Sequence, residues 1–411
     1  MRDVIISRED AATAMMNNSQ PNKTEKLSDF ATLCAWMIVS ISMAALAYAQ
    51  FGQDFRGYYA AARVLLSGGN PYDYFQVAPV LEEVTGRVGN NPFYYPLWFG
   101  WSVAPLALMP FQIARAAWIL INLVVWIFGL TRLQAFFDFP RKGWRMWSMN
   151  LLATFLFAWM TWKFEQTGIL LFAITVETLL AYKNKQWTRM GIFLAAALIK
   201  PNIMLLPVAI MSLWLIRNKN FRPVILMSAL LLGLVIVTTI LTPNWYEPFL
   251  RPNFGQGLTE VLDGPEKTTG VRLNTTLMDW LKMFGIPDVA RYVVYGIFIL
   301  VCVFIVTRTV WKSESFTQVT VIALLVNFAI TPYALQYDFP PLVIPMFWAL
   351  ALSRDVTSTN IPVFLIAFIT SVLIWERPIS DGYWIVIGLS LLVVWSMKAI
   401  QPQRRGVIVS I

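Results

Sequence analysis

The chain has 411 residues, of which 57% are hydrophobic and 13% charged, and its mean hydropathy is +0.59. Repeated apolar runs of about 15 to 22 residues exclude a soluble globular protein and predict an all-α polytopic membrane protein. The net charge of +9 is explained by basic loops facing anionic lipid, and no basic stripe with interleaved aromatic residues indicates nucleic-acid binding. Because the sequence has no histidine, histidine metal ligands and histidine general bases are excluded.

The two ends of the chain are predicted to be cytoplasmic tails. Residues 1–28 are polar and contain no apolar run, so we expect a disordered tail there, and residues 401–411 form a shorter one. Residues 29–400 are expected to form a single transmembrane domain of about 12 helices. Its long external loops are predicted at 50–95 and 242–287, and we see no internal repeat or soluble domain.

The predicted spans follow from the apolar runs. They lie at about 30–49, 112–132, 146–162, 167–182, 222–241, 288–307, 316–331, 339–353, 361–375 and 383–399, with two more in the run 190–216. We interpret that run, which is broken at Lys200-Pro201-Asn202, as two short helices forming a hairpin. The alternative is one kinked span of about 27 residues, or about 40 Å.

The apolar stretch 94–110 is the ambiguous part of this topology. Four helix-breaking residues interrupt it: Pro96, Gly100, Pro105 and Pro110. If it crossed the membrane alone, the basic loops after it would be exported, against the positive-inside rule. We therefore predict a juxtamembrane or re-entrant segment in the first external loop. The residues that this choice keeps inside include Arg132, Arg141, Lys142, Arg145, Lys183, Lys185, Arg189, Arg217, Lys219, Arg222, Arg308 and Lys312.

The first external loop carries the densest group of reactive side chains, which includes Asp54, Arg56, Tyr58 and Tyr59. Asp54 follows the first predicted span by a few residues, so its carboxylate is expected near the lipid headgroups. A carboxylate placed there can take the proton of an attacking hydroxyl group. The alternative is that Asp54 only caps a helix that begins near Phe55.

Lys200 is the clearest anomaly, because it lies between two apolar stretches with no charge nearby in the sequence. Ionisable residues at membrane depth are costly and usually face a cavity or a partner. One interpretation is a cation that binds a lipid phosphate. The other is a lysine that extends its ammonium group to the membrane surface.

Further candidates fall at the same predicted face as Asp54 and Lys200: Glu165, Gln166, Arg272, Asn274, Tyr337 and Asp338. The first two are read as substrate ligands, or as partners of Lys200, or as an ordinary hairpin tip. Arg272 could hold a phosphate or be a solvated loop arginine. Tyr337 could belong to an interfacial tyrosine belt. No P-loop, no G-x-G-x-x-G and no Asp-x-Asp is present, which disfavours a nucleotide substrate held by a divalent cation.

Five stretches occur in an order that resembles glycosyltransferase family 87: DFRGYYAAARVLLSGGNPYD, YYPLWFGWSVAPLALMPF, EQTGILLFA, LAAALIKPNIMLLP and TPYALQYDFPPLVIP. The resemblance implies the glycosyltransferase C fold and a catalytic role for the transmembrane domain. It also implies Asp54 as the base, Lys200 in the Lys-Pro motif, and Tyr337 with Asp338 in the late motif. The sequence departs from the family pattern at two points. Glu165-Gln166 stands where relatives often show Gly-Gln. The late motif contains no histidine.

The resemblance implies an inverting enzyme that moves a sugar, with mannose expected, from a polyprenyl-phosphate donor to a hydroxyl of a glycolipid or glycan. The lipid-linked donor would be a co-substrate, no metal cofactor is expected, and membrane lipids are the surrounding partners. The site would face outward from the plasma (inner) membrane. The alternative is a secondary transporter or lipid flippase, although such proteins tend to show internal repeats and broken helices at the bilayer midplane.

Overall fold

The computed structural model describes residues 23–49, 54–86, 93–139, 144–254, 276–331, 333–352, 386–388 and 390–391. Within these ranges the chain is helical and has no β-strand. The helices are α1 (Lys23–Ala49), α2 (Phe55–Leu66), α3 (Tyr74–Thr85), α4 (Leu97–Ala107), α5 (Phe111–Phe136), α6 (Trp144–Ala153), α7 (Trp159–Lys163), α8 (Gly168–Lys183), α9 (Trp187–Ala197), α10 (Pro201–Arg217), α11 (Phe221–Leu241), α12 (Tyr246–Phe254), α13 (Leu277–Met283), α14 (Asp288–Lys312), α15 (Phe316–Ile330) and α16 (Val343–Leu352). A π-helical turn (Thr154–Ala158) joins α6 to α7, and two 3₁₀ turns, Gln336–Asp338 and Pro340–Leu342, precede α16.

Four helices in the described part of the chain are long and apolar enough to cross a membrane. They are Asp29–Ala49 within α1, Phe111–Phe136, Phe221–Leu241 and Asp288–Lys312. Each has at least the roughly 20 residues that a hydrocarbon core of about 30 Å requires. Most of α11 and α14 is not covered by other parts of the protein, as expected for helices that face lipid. The chain is therefore a helical membrane protein.

The structure refines the predicted boundaries in two places. Helix α1 begins at Lys23, earlier than the predicted boundary at residue 29. Helix α4 has 11 residues, which span about 16 Å and cannot cross a core of about 30 Å. This short helix agrees with the prediction that 94–110 does not cross alone. The predicted span 361–375 and most of 383–399 lie outside the described residues.

Helices α9 and α10 form the hairpin predicted from the break at Lys200. Pro201 occupies the first turn of α10, where a helix needs no N–H and the fixed φ of proline fits. The turn after α10 is short, and Arg222 at the start of α11 donates to Thr188 Oγ1 at 3.2 Å. Since Thr188 lies at the start of α9, the free ends of α9 and α10 lie on the same side, and Lys200 lies at the other.

One end of the bundle collects the basic residues of several helices. The buried carboxylate of Glu177 on α8 accepts from Arg132 Nε at 2.7 Å and also from Arg189. Arg217 donates to the carbonyl oxygen of Ser313 at 3.0 Å, just after the last residue of α14. The contacts of Glu177 join α5 and α8 to the start of α9, and the contact of Arg217 joins the end of α10 to the end of α14. The start of α8 and the turn between α9 and α10 consequently lie at the opposite end.

Two apolar clusters hold the site in place. The larger one surrounds the fully buried Trp126, Trp162 and Phe172 and fixes α5, α7 and α8. The smaller cluster includes Phe55 and Trp118, whose rings stack at 5.6 Å between centroids. It packs α2 and α4 against the start of α5, so both short helices are folded parts of the protein.

Candidate active site

Three helices begin at the same place. Asp54 precedes the first residue of α2, Gln166 lies two positions before α8, and Lys200 precedes α10. The side chains of these three residues are joined by direct hydrogen bonds. Because the N-terminal end of a helix carries a partial positive charge, this convergence favours anionic groups.

Gln166 is the centre of the hydrogen-bond network. Its Nε2 donates to Asp54 Oδ2, and its Oε1 accepts from Lys200 Nζ at 3.0 Å. The same oxygen accepts from Tyr95 at 2.6 Å and from Tyr58 at 2.9 Å. The side-chain amide of Gln166 thus joins the carboxylate of Asp54 to the amine of Lys200.

Asp338 and two aromatic rings enclose the amine of Lys200. Nζ donates to Asp338 Oδ1 at 2.6 Å. It lies 4.9 Å from the ring centre of Tyr337 and 5.5 Å from that of Tyr95, where the negative face of each ring attracts a cation. Asp338 Oδ2 accepts from the backbone N–H of Leu335 at 3.1 Å. Both oxygens of this fully buried carboxylate are therefore used within the protein.

Asp54 has the position of a helix cap but does not make a capping hydrogen bond. Its backbone N–H donates to Phe164 O at 3.3 Å, and its half-buried carboxylate accepts from Gln166. Among the described residues, its other oxygen has no hydrogen-bond partner. Burial raises the pKa of the Asp54 carboxyl, while the hydrogen bond from Gln166 and the charges of Lys200 and Arg56 act in the opposite direction. A half-buried carboxylate with one free oxygen can accept a proton from a substrate.

A buried ion pair that the sequence did not reveal anchors the turn before α8. Arg115 Nε lies 2.5 Å from Glu165 Oε1, and Trp118 Nε1 donates to the backbone oxygen of Glu165 at 2.8 Å. Glu165 has a left-handed backbone with φ of 56°, and burial raises the pKa of its carboxyl to about 7 against the effect of Arg115. The structure therefore places Glu165 in a buried ion pair with Arg115, while its Oε2 has no hydrogen-bond partner among the described residues, and its predicted role as a substrate ligand stays a prediction.

The remaining predicted site residues divide into four groups. Tyr58 and Tyr337 join the network around Lys200. Tyr59 donates to Met109 O at 2.9 Å and thereby fixes α2 to the end of α4. Arg56 is half-buried, and its Nε has no hydrogen-bond partner in the described part of the chain. The other two predicted residues, Arg272 and Asn274, lie outside the described residues.

Two site residues were missed by the sequence reasoning. Tyr95 belongs to the stretch NNPFYYP, and its hydroxyl contacts Gln166. Gly168 allows the start of α8 to approach the late loop, because a Cβ there would collide with the carbonyl oxygen of Tyr337 and lie 2.9 Å from Pro340 Cδ. The signal for Tyr95 was its place in YYPLWFGWSVAPLALMPF, one of the five stretches that carry the resemblance. Gly168 lies in the stretch EQTGILLFA, two positions after Gln166, which was its signal.

A family model for glycosyltransferase family 87 matches residues 93–335. This range covers more than half of the chain. The chain belongs to glycosyltransferase family 87. Membership of this family makes it a membrane glycosyltransferase, as the resemblance implied. No curated protein matches the chain.

The family 87 match includes part of the network only. Gln166 and Lys200 lie inside the matched range, whereas Asp54 precedes it and Asp338 follows it. The structure nevertheless brings all four side chains into one hydrogen-bonded group. Among the residues that the structure describes, no three His, Cys, Asp or Glu side chains form a group that could hold a metal ion.

Proposed function

We propose that this family 87 protein transfers a sugar, with mannose expected, from a polyprenyl-phosphate donor to a hydroxyl of a glycolipid or glycan. Asp54 is the base, Lys200 binds the departing phosphate, and the anomeric centre inverts. The family match supports glycosyl transfer over the alternative of a transporter or flippase. The proposed architecture is the glycosyltransferase C type with about 12 spans, of which the described helices form part.

The observation that carries this proposal is that Asp54 and Lys200 bind opposite ends of the same amide. A base and a phosphate-binding cation must lie on opposite sides of the sugar in a single displacement. The two groups are also far apart in the sequence and meet only through folding. The amide between them keeps the carboxylate and the ammonium group close enough for one bound glycosyl phosphate to meet both.

The reaction is a balanced displacement. The acceptor oxygen forms a bond to the anomeric carbon while its proton passes to the free oxygen of Asp54. The bond between the anomeric carbon and the phosphate oxygen breaks, and its electron pair leaves with the polyprenyl phosphate. Because attack and departure occur on opposite faces, the configuration inverts.

Lys200 is suited to stabilise the leaving phosphate. An ammonium group has three donors, and the described contacts use two of them, on Gln166 and Asp338. The third can meet a phosphate oxygen, and the N-terminal ends of α8 and α10 add partial positive charge. Arg56 is a second candidate cation near Asp54. Fixed cations of this kind are the reason that we expect no metal cofactor.

The positive-inside rule supports an outward-facing site. The network lies at the end of α8 opposite to Glu177 and its arginine partners. Basic residues favour the cytoplasmic side of a membrane. We therefore infer that the network faces the outside of the plasma (inner) membrane, where the donor lipid, the acceptor and the surrounding lipids are its partners.

The experiment is to incubate the purified protein with a panel of polyprenyl-phosphate sugars in lipid nanodiscs supplemented with membrane glycolipids. We expect release of polyprenyl phosphate from the mannose donor and a product whose anomeric configuration, determined by NMR, is opposite to that of the donor. Retention of configuration would contradict the single displacement. Transfer only from a soluble nucleotide sugar would contradict the donor class.

A further inference from the structure

The side-chain oxygen of Gln166 is fully occupied by donors from the protein, and its nitrogen binds Asp54. Gln166 is only 5% exposed. Its oxygen accepts from Lys200, Tyr58 and Tyr95, and its nitrogen donates to Asp54. A carbonyl oxygen offers two lone pairs, so no acceptor position remains for a sugar hydroxyl. Of the alternatives that the sequence offered for Gln166, the contact with Lys200 is the one present in the structure.

The orientation of this amide is determined by its partners. A lysine ammonium can only donate, so the Gln166 oxygen must face Lys200. The Gln166 nitrogen must then face Asp54. An ionised carboxylate can only accept hydrogen bonds, so this contact fits a donating nitrogen. The contacts therefore specify which oxygen of Asp54 is bound and leave Oδ1 for another group.

We propose that Gln166 is a positioning residue that holds Asp54 ionised and turns its free oxygen toward the acceptor. This inference rests on the proposed role of Asp54 as the base. The backbone supports it independently, since the N–H of Gln166 donates to Thr161 O at 2.9 Å. The preceding residue, Glu165, is held by its ion pair with Arg115. The amide is thus fixed from both its backbone and its side chain.

The charges that face Asp54 explain why a donor is needed there. Burial favours the neutral acid, and Asp338 and Glu165 add negative charge nearby. Lys200 and Arg56 oppose them, and the hydrogen bond from Gln166 favours the charged form more than either cation does. The hydroxyl groups of three further residues also lie within electrostatic reach of Asp54: Tyr58, Tyr333 and Tyr337. Replacement of the Gln166 donor should therefore change the proton affinity of Asp54.

Two variants test the inference. Gln166→Glu keeps the acceptor for Lys200 but replaces the donor by a second carboxylate, and Gln166→Met removes both donor and acceptor without adding charge. The control is Thr175→Val on α8, because the Thr175 hydroxyl is buried and donates only to Leu171 O in its own helix. The ionisation of Asp54 is followed by infrared titration of its protonated carboxyl, identified by its loss in Asp54→Asn.

We expect the midpoint of the Asp54 titration to rise by about one pH unit or more in Gln166→Glu and by less in Gln166→Met. The pH below which kcat/KM with polyprenyl-phosphate mannose falls should rise by the same amount. Thr175→Val should change neither this pH nor the titration midpoint of Asp54. An unchanged titration in both Gln166 variants would overturn the inference, as would a rise in KM with an unchanged acid limb. A shifted titration in a protein that transfers no sugar would support the positioning contact and contradict the proposed function separately.

Discussion

Lys200 Nζ lies 2.6 Å from Asp338 Oδ1, and both side chains are almost completely buried. Residues 138 positions apart in the sequence thus form an ion pair inside the protein. Removing one member of such a pair leaves an uncompensated buried charge and commonly costs about 3–5 kcal/mol. Removing both charges together can be nearly neutral.

A double-substitution cycle separates the structural and chemical roles of this pair. We expect Lys200→Met and Asp338→Asn each to destabilise the protein by about 3–5 kcal/mol, and the double variant to recover most of that loss. The double variant should still be inactive, because it has no ammonium group for the phosphate. Unfolding in mixed micelles and release of polyprenyl phosphate measure the two effects. Recovery of activity together with stability would assign Lys200 a structural role only.

The pH dependence of transfer should report Asp54. Burial raises the pKa of its carboxyl above the ordinary value of 3.8. Since the base must be ionised, kcat/KM should be constant at higher pH and fall tenfold per pH unit below that raised pKa. The folded state also binds this proton more tightly than the unfolded state, so ionisation of Asp54 lowers stability as the pH rises through the same window. Measurements of kcat/KM and of the free energy of unfolding over one pH series check both dependences: the fall in rate at low pH and the fall in stability as the pH rises.

A profile that stays flat down to the pKa of an ordinary solvated aspartate would contradict the environment described for Asp54. The Thr175→Val protein provides the matched profile, because its substitution lies in α8 and outside the network. A parallel fall in both rate and folded fraction would indicate acid unfolding and contradict the assignment of the limb to the base.

Gly168 should be intolerant of any side chain. A Cβ there would collide with Tyr337 O and lie 2.9 Å from Pro340 Cδ. We expect Gly168→Ala to displace the late loop that carries Asp338, and to lower transfer by at least about tenfold, the effect of 1.4 kcal/mol on the barrier. The control is Gly233→Ala, because a Cβ at Gly233 meets nothing within 4 Å, and alanine favours a helix by about 1 kcal/mol. Equal activity in the two variants would show that the close approach is not needed.

The sequence was most informative where local physics decides the structure. Apolar length predicted the long helices, and the break at Lys200-Pro201 predicted the hairpin of α9 and α10. The helix that begins at Phe55 was part of the alternative in which Asp54 is a helix cap. These features depend on hydropathy and on the fixed φ of proline, and both can be recognised in a single stretch of chain.

Features that depend on distant contacts could not be derived in this way. The ion pair of Arg115 with Glu165 joins residues 50 positions apart, and no local pattern identifies Arg115 as its partner. Asp54 could be read equally as a cap or as a base, and only the geometry shows that it makes no capping bond. The predicted roles of Arg272 and Asn274 remain predictions, since they lie in a range that the structure does not describe.

The most direct measurement is the rate of sugar transfer by Asp54→Asn, with polyprenyl-phosphate mannose as the donor and the wild-type protein alongside. Asparagine can still accept from Gln166, no helix cap is lost, and a charge that burial disfavours is removed, so the melting temperature should not fall. We predict a loss of about 10²–10⁴-fold in kcat, the usual contribution of a positioned general base. Full transfer activity in a folded Asp54→Asn protein would contradict the assignment of Asp54 as the base.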